Sequence, residues 1–349
     1  MLVRLLMVLG AVAAFLLLLA LAGLVYQVVS SARDARKYPA PGRMVDVGGH
    51  RLHIYCLGVG SPTVVMDSGL PGSSLSWSLV QPEVARFARV CSYDRAGLGW
   101  SDPGPTPRTT QQIVAELHTL LANAGVKPPY VLVGHSFGAF TARRYAAEYP
   151  TEVAGIVLVD PADPGEWLQI TAEQKKTLEG GVKVCRRAAI FARLGIARLV
   201  WRLLRAGAAG VAGRFVTFAS DGAIKAESSM FAPLSRLPAE MRPLIVVFWT
   251  QPKFYEAVAS QVEYLPQSAA QVASTSGFGD IPLVVLSASN PSPDRLLELE
   301  AAAHLSSNGK LVIASKSGHW IPLDQPSAVT DAVREVVESA RQIRSPRRE

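Results

Sequence analysis

Apolar residues fall into three regimes along this chain. The first is one unbroken run: Leu5 to Val29 holds no charged residue over 25 positions. At 1.5 Å per helical residue, that run is long enough to cross about 30 Å of hydrocarbon. Arg4 precedes it, and Arg33, Asp34, Arg36 and Lys37 follow. A second reading of the same run is a cleaved secretory signal, because Ala20-Leu21-Ala22 resembles a small-residue cleavage site. The apolar run continues through Gly23 to Val29, longer than a signal core, which favours an uncleaved single-span anchor.

The second regime, from Arg43 onward, is a series of short apolar bursts. Arg43–Val47 and Arg51–Cys56 flank Gly48-Gly49 and read as a hairpin. Thr63–Met66, Arg89–Tyr93, Tyr130–Val133 and Gly155–Val159 read as buried strands, as do Pro282–Leu286 and Leu311–Ala314 much later. A helical period with Ile113, Leu117, Leu120 and Leu121 precedes the Tyr130 strand. Strands alternating with helices predict a mostly parallel sheet covered on both faces.

The third regime, residues 161–280, loses the strand signal. Helix formers dominate, with breaks expected at Gly180-Gly181 and around Gly207 to Gly213. Within it, Ile196 to Arg205 gathers Ile196, Leu199, Val200, Leu203 and Leu204 on one face and Arg198, Arg202 and Arg205 on the other. That is an amphipathic helix, whose arginines could meet anionic headgroups while its apolar face covers a core. A block this long is not a loop; it reads as an inserted helical cap.

Composition changes the picture little. The N-terminal run raises the hydrophobic content, which is 49%. The net charge of +7 comes from scattered residues and from Arg341, Arg344, Arg347 and Arg348, which read as a frayed basic tail. No zinc-finger, RRM or helix-turn-helix signature accompanies the charge, so no nucleic-acid partner is expected. Attraction to anionic lipid is the more natural use. Cys56, Cys91 and Cys185 lack metal-ligand spacing. No metal or cofactor is expected.

The chemistry concentrates in Gly134-His135-Ser136-Phe137-Gly138, set between the Tyr130–Val133 strand and a helical stretch from Ala139. A serine on a sharp strand-to-helix turn needs small neighbours two residues either side, and its hydroxyl stands clear of the sheet. The helix N-terminus behind it offers backbone N–H groups to a developing oxyanion. His135, adjacent on the turn, is expected to point away from the serine. His50, His53, His118 and His304 carry no motif, whereas His319 lies on a loop after the final strand and before Pro322.

With these residues the chain resembles the α/β-hydrolase superfamily of cap-containing serine hydrolases, from about Arg43 to Ala340. Ser68-Gly69-Leu70-Pro71 stands where that family usually has His-Gly-x-Pro, with serine replacing the histidine. Asp94-Arg95-Ala96-Gly97-Leu98-Gly99-Trp100-Ser101 resembles its Asp-x-x-Gly-x-Gly-x-Ser loop, and Ser317-Gly318-His319-Trp320 its late Gly-His. The resemblance implies an α/β fold: a mostly parallel eight-stranded sheet, helices on both faces and a helical cap, here preceded by a transmembrane helix. The expected organisation is anchor or signal at 1–29, linker at 30–42, core at 43–160, cap at 161–280, core again at 281–340 and basic tail at 341–349.

The resemblance also implies roles. Ser136 is the expected nucleophile, His319 its base, and the N–H groups of Phe137 and Leu70 the oxyanion donors. The acid stays open. The family usually places it after the seventh strand, but here Pro291 stands in its place and Asp294 lies three residues on. Asp160 ends the sixth strand, where some haloalkane dehalogenases carry their acid; it could equally start the turn at Pro161. Asp163 is a third candidate, while Asp94 and Asp324 read as loop-holding carboxylates. A serine nucleophile suits acyl transfer, so the expected activity is a membrane-tethered carboxylesterase or lipase acting on a hydrophobic acyl substrate. The alternatives are an aminopeptidase or amidase, for which Glu256 or Glu263 would bind an ammonium, and a non-catalytic binding protein.

The side of the membrane also stays open. Basic residues after the span favour a cytoplasmic domain, whereas its signal-like character favours an extracytoplasmic one, or secretion after cleavage. In the family's fold the second strand lies antiparallel beside the fourth. This implies that Cys56 and Cys91 are close, either bonded or as two buried thiols.

Overall fold

The computed structural model of the chain describes residues 1–205 and 236–344. Its strands are β1 (Arg43–Asp46), β2 (Arg51–Leu57), β3 (Thr63–Asp67), β4 (Val90–Tyr93), β5 (Tyr130–His135), β6 (Val153–Val159), β7 (Leu283–Ser287) and β8 (Gly309–Ile313). They form one sheet in the order β1-β2-β4-β3-β5-β6-β7-β8, with β2 antiparallel to both neighbours and every later pairing parallel.

The strand residues divide between two cores by the two-residue period of a pleated strand. On β5, Tyr130 and Leu132 enter one core while Val131 and Val133 enter the other; on β6, Ile156 and Leu158 oppose Val157 and Val159. The first core is covered by α3 (Thr110–Asn123), α4 (Gly138–Glu148) and α11 (Pro293–Ala303), the second by α2 (Gln81–Val84) and α13 (Pro326–Arg344). α13 crosses so close to β6 that a Cβ on Gly155 would fall 2.3 Å from Val336 Cγ1. Between β6 and β7 lie α5 (Gly165–Leu168), α6 (Ala172–Arg193), α7 (Ile196–Arg205), α8 (Arg242–Trp249), α9 (Pro252–Glu263) and α10 (Leu265–Ala273). The short α12 (Ile321–Asp324) follows β8, and α1 (Leu2–Lys37) precedes the sheet.

Three expectations need correction. Residues 30–37 are not linker, because α1 runs on through Lys37. Gly180-Gly181 does not break α6, which starts at a Thr171–Gln174 capping box and packs against α9 from about Gly181 onward. Two helix-interior glycines cost roughly 1 kcal/mol each relative to alanine, a loss that this packing offsets. The expected break around Gly207 to Gly213 lies outside the described residues. The C-terminal segment is not a frayed tail at its start: α13 reaches Arg344, and Arg341 donates to Ser61 O at 2.9 Å and Phe87 O at 3.0 Å. Arg347 and Arg348 lie outside the described residues.

Cys56 and Cys91 are register partners across β2 and β4, and their sulfurs are bonded. Cys185 is a free thiol whose pKa burial raises to about 11.

Candidate active site

The turn after β5 explains its own sequence. Ser136 sits at φ +52°, the left-handed region, with its N–H donating to Val159 O at 3.0 Å. A Cβ on Gly134 would lie 2.4 Å from Gly138 O, and one on Gly138 would lie 2.4 Å from Asp67 O. Both collisions are with backbone, so neither position admits a side chain. Strain of this kind persists only where the surroundings over-determine it, and it gathers at functional sites.

Immediately after β6 comes the second strained residue, Asp160, at φ +39°. Its Oδ2 lies 2.6 Å from His319 Nδ1, and its Oδ1 accepts from Ala288 N–H at 3.3 Å with the Arg295 guanidinium 3.8 Å away. Burial opposes ionisation of Asp160. The His319 hydrogen bond, the Ala288 N–H and Arg295 outweigh it and hold the carboxyl below the usual range. A charged Asp160 fixes the Nδ1–H tautomer of His319 and leaves Nε2 as the basic nitrogen. The imidazole is half exposed, and among the described residues no hydrogen bond joins it to Ser136 Oγ. Such bonds often tighten only with substrate.

The other acid candidates lie elsewhere. Asp294 is exposed in the first turn of α11, and Asp163 accepts from Glu166 N–H at 3.1 Å as a local turn cap. The stretch after β7 therefore supplies Asp160 with partners, Ala288 and Arg295, in place of an acid of its own. Asp94 accepts from Ser74 N–H at 2.7 Å and Trp100 N–H at 3.0 Å, and Asp324 from Gly318 N–H at 3.2 Å. Both hold loops.

Two residues at the site carry contacts that the sequence did not signal. His135 is buried, and its Nε2 donates to His319 O at 2.8 Å, so it braces the His319 loop. Burial first, then the neighbouring His319, depress its pKa to about 3. Arg95 is also buried and straps the loop after β3. It donates to Ser68 O at 2.8 Å, Gly69 O at 2.8 Å and Asp67 Oδ1 at 3.1 Å, and its guanidinium lies 5.1 Å from the Phe137 ring centroid. Neither the Leu70 nor the Phe137 N–H has a hydrogen-bond acceptor among the described residues.

A cavity of 480 Å³ opens beside these groups, lined by Leu70, Phe248, Trp249, Phe254, His319 and Trp320 among others. Ser136 is not among its lining residues, although Leu70 and His319 are. The cap candidates for binding an ammonium are already engaged, Glu256 by Arg193 at 2.5 Å and Glu263 by Arg186 at 2.8 Å. Among the described residues no cluster of His, Cys, Asp and Glu could hold a metal ion.

His135 makes a pH prediction with a definite sign. Its folded pKa lies below the ordinary histidine value near 6.5, so the unfolded chain binds the extra proton between that value and about 3. Stability therefore rises with pH across this window, and is lost as pH falls from about 6.5. Urea midpoints of detergent-solubilised protein should fall through this range, and His135→Gln should flatten the slope. An unchanged slope would remove His135 as its source.

Comparison with known proteins agrees with this architecture. Residues 62–198 match the sequence model of the α/β-hydrolase fold family. Uncharacterized protein YqjL of Bacillus subtilis is 39% identical over 100 residues, 29% of this chain and 40% of YqjL. Putative carbamate hydrolase RutD of Escherichia coli is 33% identical over 120 residues, 34% of this chain and 41% of RutD. The matches thus span less than half the length of these curated relatives. A thermophilic esterase from Thermogutta terrifontis superposes with TM-score 0.58 at 20% identity, covering 85% of this chain and 97% of the esterase. A putative epoxide hydrolase from Pseudomonas aeruginosa superposes at 0.62 and 17% identity, covering 87% and 98%. Topology, matched segment and superpositions together show that the chain has the α/β-hydrolase fold.

Proposed function

We propose that the chain is a membrane-anchored serine hydrolase that cleaves a hydrophobic carboxylic ester. The observation that carries this reading is the 2.6 Å Asp160–His319 contact beside a strained serine elbow. His319 Nε2 takes the proton as Ser136 Oγ attacks the acyl carbon. The developing oxyanion is held by the Leu70 and Phe137 N–H groups, and the alcohol departs with the proton from His319. Water, deprotonated by the same nitrogen, then releases the acid and restores Ser136. Asp160 keeps the imidazole oriented and stabilises its charged form. A serine nucleophile also separates this chemistry from that of aspartate-nucleophile epoxide hydrolases of the same fold.

The aromatic lining favours an apolar acyl group, and the engagement of Glu256 and Glu263 by arginines argues against an aminopeptidase. The exposed Leu2–Ala22 half of α1 supports anchoring. The Cys56–Cys91 bond supports an extracytoplasmic domain, since such bonds persist in oxidising compartments.

Purified full-length protein should hydrolyse p-nitrophenyl esters, with kcat/KM rising from acetate to octanoate, and leave aminoacyl p-nitroanilides untouched. Amide cleavage without ester cleavage would overturn the esterase reading. Neither activity in folded protein would favour a binding protein.

A further inference from the structure

α1 is free over its first half and docked over its second. Apart from the partly covered Ala20, residues 1–22 are exposed; from there a covered stripe recurs at Gly23, Tyr26, Gln27, Ser30, Ser31 and Asp34. At Gly23 the helix meets the α6–α7 corner backbone to backbone: a Cβ there would lie 2.4 Å from Leu194 O. The corner residue Gly195, at φ +70°, would likewise set a Cβ 2.6 Å from the Tyr26 ring. Arg198 of α7 is not turned outward as its helical face suggested. It is buried, donating to Gln27 Oε1 at 2.8 Å, to Ser31 Oγ at 3.1 Å and to Asp34. Gln27 in turn donates to Thr250 O at 3.0 Å.

Beside this clamp lies a second cavity of 310 Å³, walled by α1, α7 and α8. Among the described residues its only acid is Asp34, already matched by Arg198. Three further cations line it: Arg33, Lys37 and Arg202. None has a carboxylate partner among the described residues, and Arg202 stacks over Tyr26 at 5.2 Å. Pro243, Val246 and Val247 give it an apolar floor.

The cavity's position follows from α1. The free stretch Leu2–Ala22 is about the length that spans a bilayer core at 1.5 Å per residue. Tyr26 comes one turn later, at the level where aromatic and basic residues meet headgroups.

We infer that this cavity is a binding site for an anionic glycerophospholipid. Arg33, Lys37 and Arg202 face its phosphate, and its acyl chains run along the exposed Leu18, Leu21 and Val25 of α1. Guanidinium groups suit a phosphate through paired charge-assisted hydrogen bonds. The assignment rests on the anchoring proposed above. It puts the lipid one helix from the chemistry, because α8 turns Val246 and Val247 to this cavity and Ile245 and Phe248 to the catalytic one.

The test uses full-length protein in nanodiscs of phosphatidylcholine containing phosphatidylglycerol, with retained lipid counted by native mass spectrometry. Wild type should retain one phosphatidylglycerol preferentially. The Arg33→Gln/Lys37→Gln/Arg202→Gln variant should lose that enrichment about tenfold or more. Lys175→Gln/Lys176→Gln/Lys183→Gln, equal in charge but on the exposed side of α6, should keep it. Retention in the disc without enrichment, or equal enrichment in both triple variants, overturns the lipid site alone. Full displacement by millimolar inorganic phosphate makes it a soluble-anion site and overturns the lipid assignment. Failure of the protein to stay in the disc overturns both the anchor and the site.

Discussion

Asp160→Asn is expected to lower ester turnover by several orders of magnitude, whereas Asp294→Asn leaves it within twofold of wild type. Asn presents an amide where the imidazole needs a carboxylate, so the wrong tautomer of His319 is stabilised; the comparable change in a Ser-His-Asp enzyme costs about 10⁴-fold in kcat. The loss should appear in kcat and kcat/KM alike, since the carboxylate acts when the imidazolium forms. Asp294 touches no group of the site; at the α11 N-terminus its charge is worth at most about 1 kcal/mol of stability. Steady-state kinetics on the two purified variants checks this. A reversed ranking would return the acid to the loop after β7.

Arg95→Met is expected to lower kcat by about 10²–10³-fold, the scale of a lost oxyanion donor, with little change in KM. The reason lies in one peptide plane. Gly69–Leu70 is trans, so the Gly69 carbonyl held by Arg95 and the Leu70 N–H point in opposite directions. The guanidinium therefore aims and polarises the proposed donor from behind, while its face packs on Phe137, the residue of the other donor. Removing one partner of the buried Arg95–Asp67 pair threatens folding by about 3–5 kcal/mol. Two companion variants keep the prediction testable: Asp67→Asn, which spares both carbonyl bonds, should stay active, and Arg95→Met/Asp67→Asn should fold yet remain slow. Wild-type kcat in the folded double variant would reduce Arg95 to a structural strap.

Local patterns carried the sheet, the elbow and the late histidine loop, because each depends on neighbours in sequence. A two-residue period marks β5 and β6 wherever they are buried, and the glycines beside Ser136 answer to a collision within the turn. The acid was not legible in the same way. Asp160 and Asp294 both end apolar strands or begin helices, and only the placement of β6 beside β7 and of the His319 loop above them distinguishes the two. His135 and Arg95 lie inside motifs that look complete without them; their partners are backbone carbonyls, which leave no trace in a sequence.

Arg198 was misread for a related reason. A helical wheel separates polar from apolar faces but cannot tell solvent from Asp34 and Gln27, 164 and 171 residues away. The same docking explains why α1 outlasts its apolar run. Ser31 and Asp34 read as linker, yet their contacts with Arg198 of α7, and that of Ser31 with Gln251, supply the tertiary packing that helices need to persist.

In the proposed mechanism Ser136 is a nucleophile activated by His319. Mass spectrometry of the folded protein after treatment with a fluorophosphonate tests it most directly. One phosphonyl adduct is expected on the peptide bearing Ser136, lost in Ser136→Ala and slowed by orders of magnitude in His319→Ala. No adduct in folded wild type, or one on another serine, would contradict it.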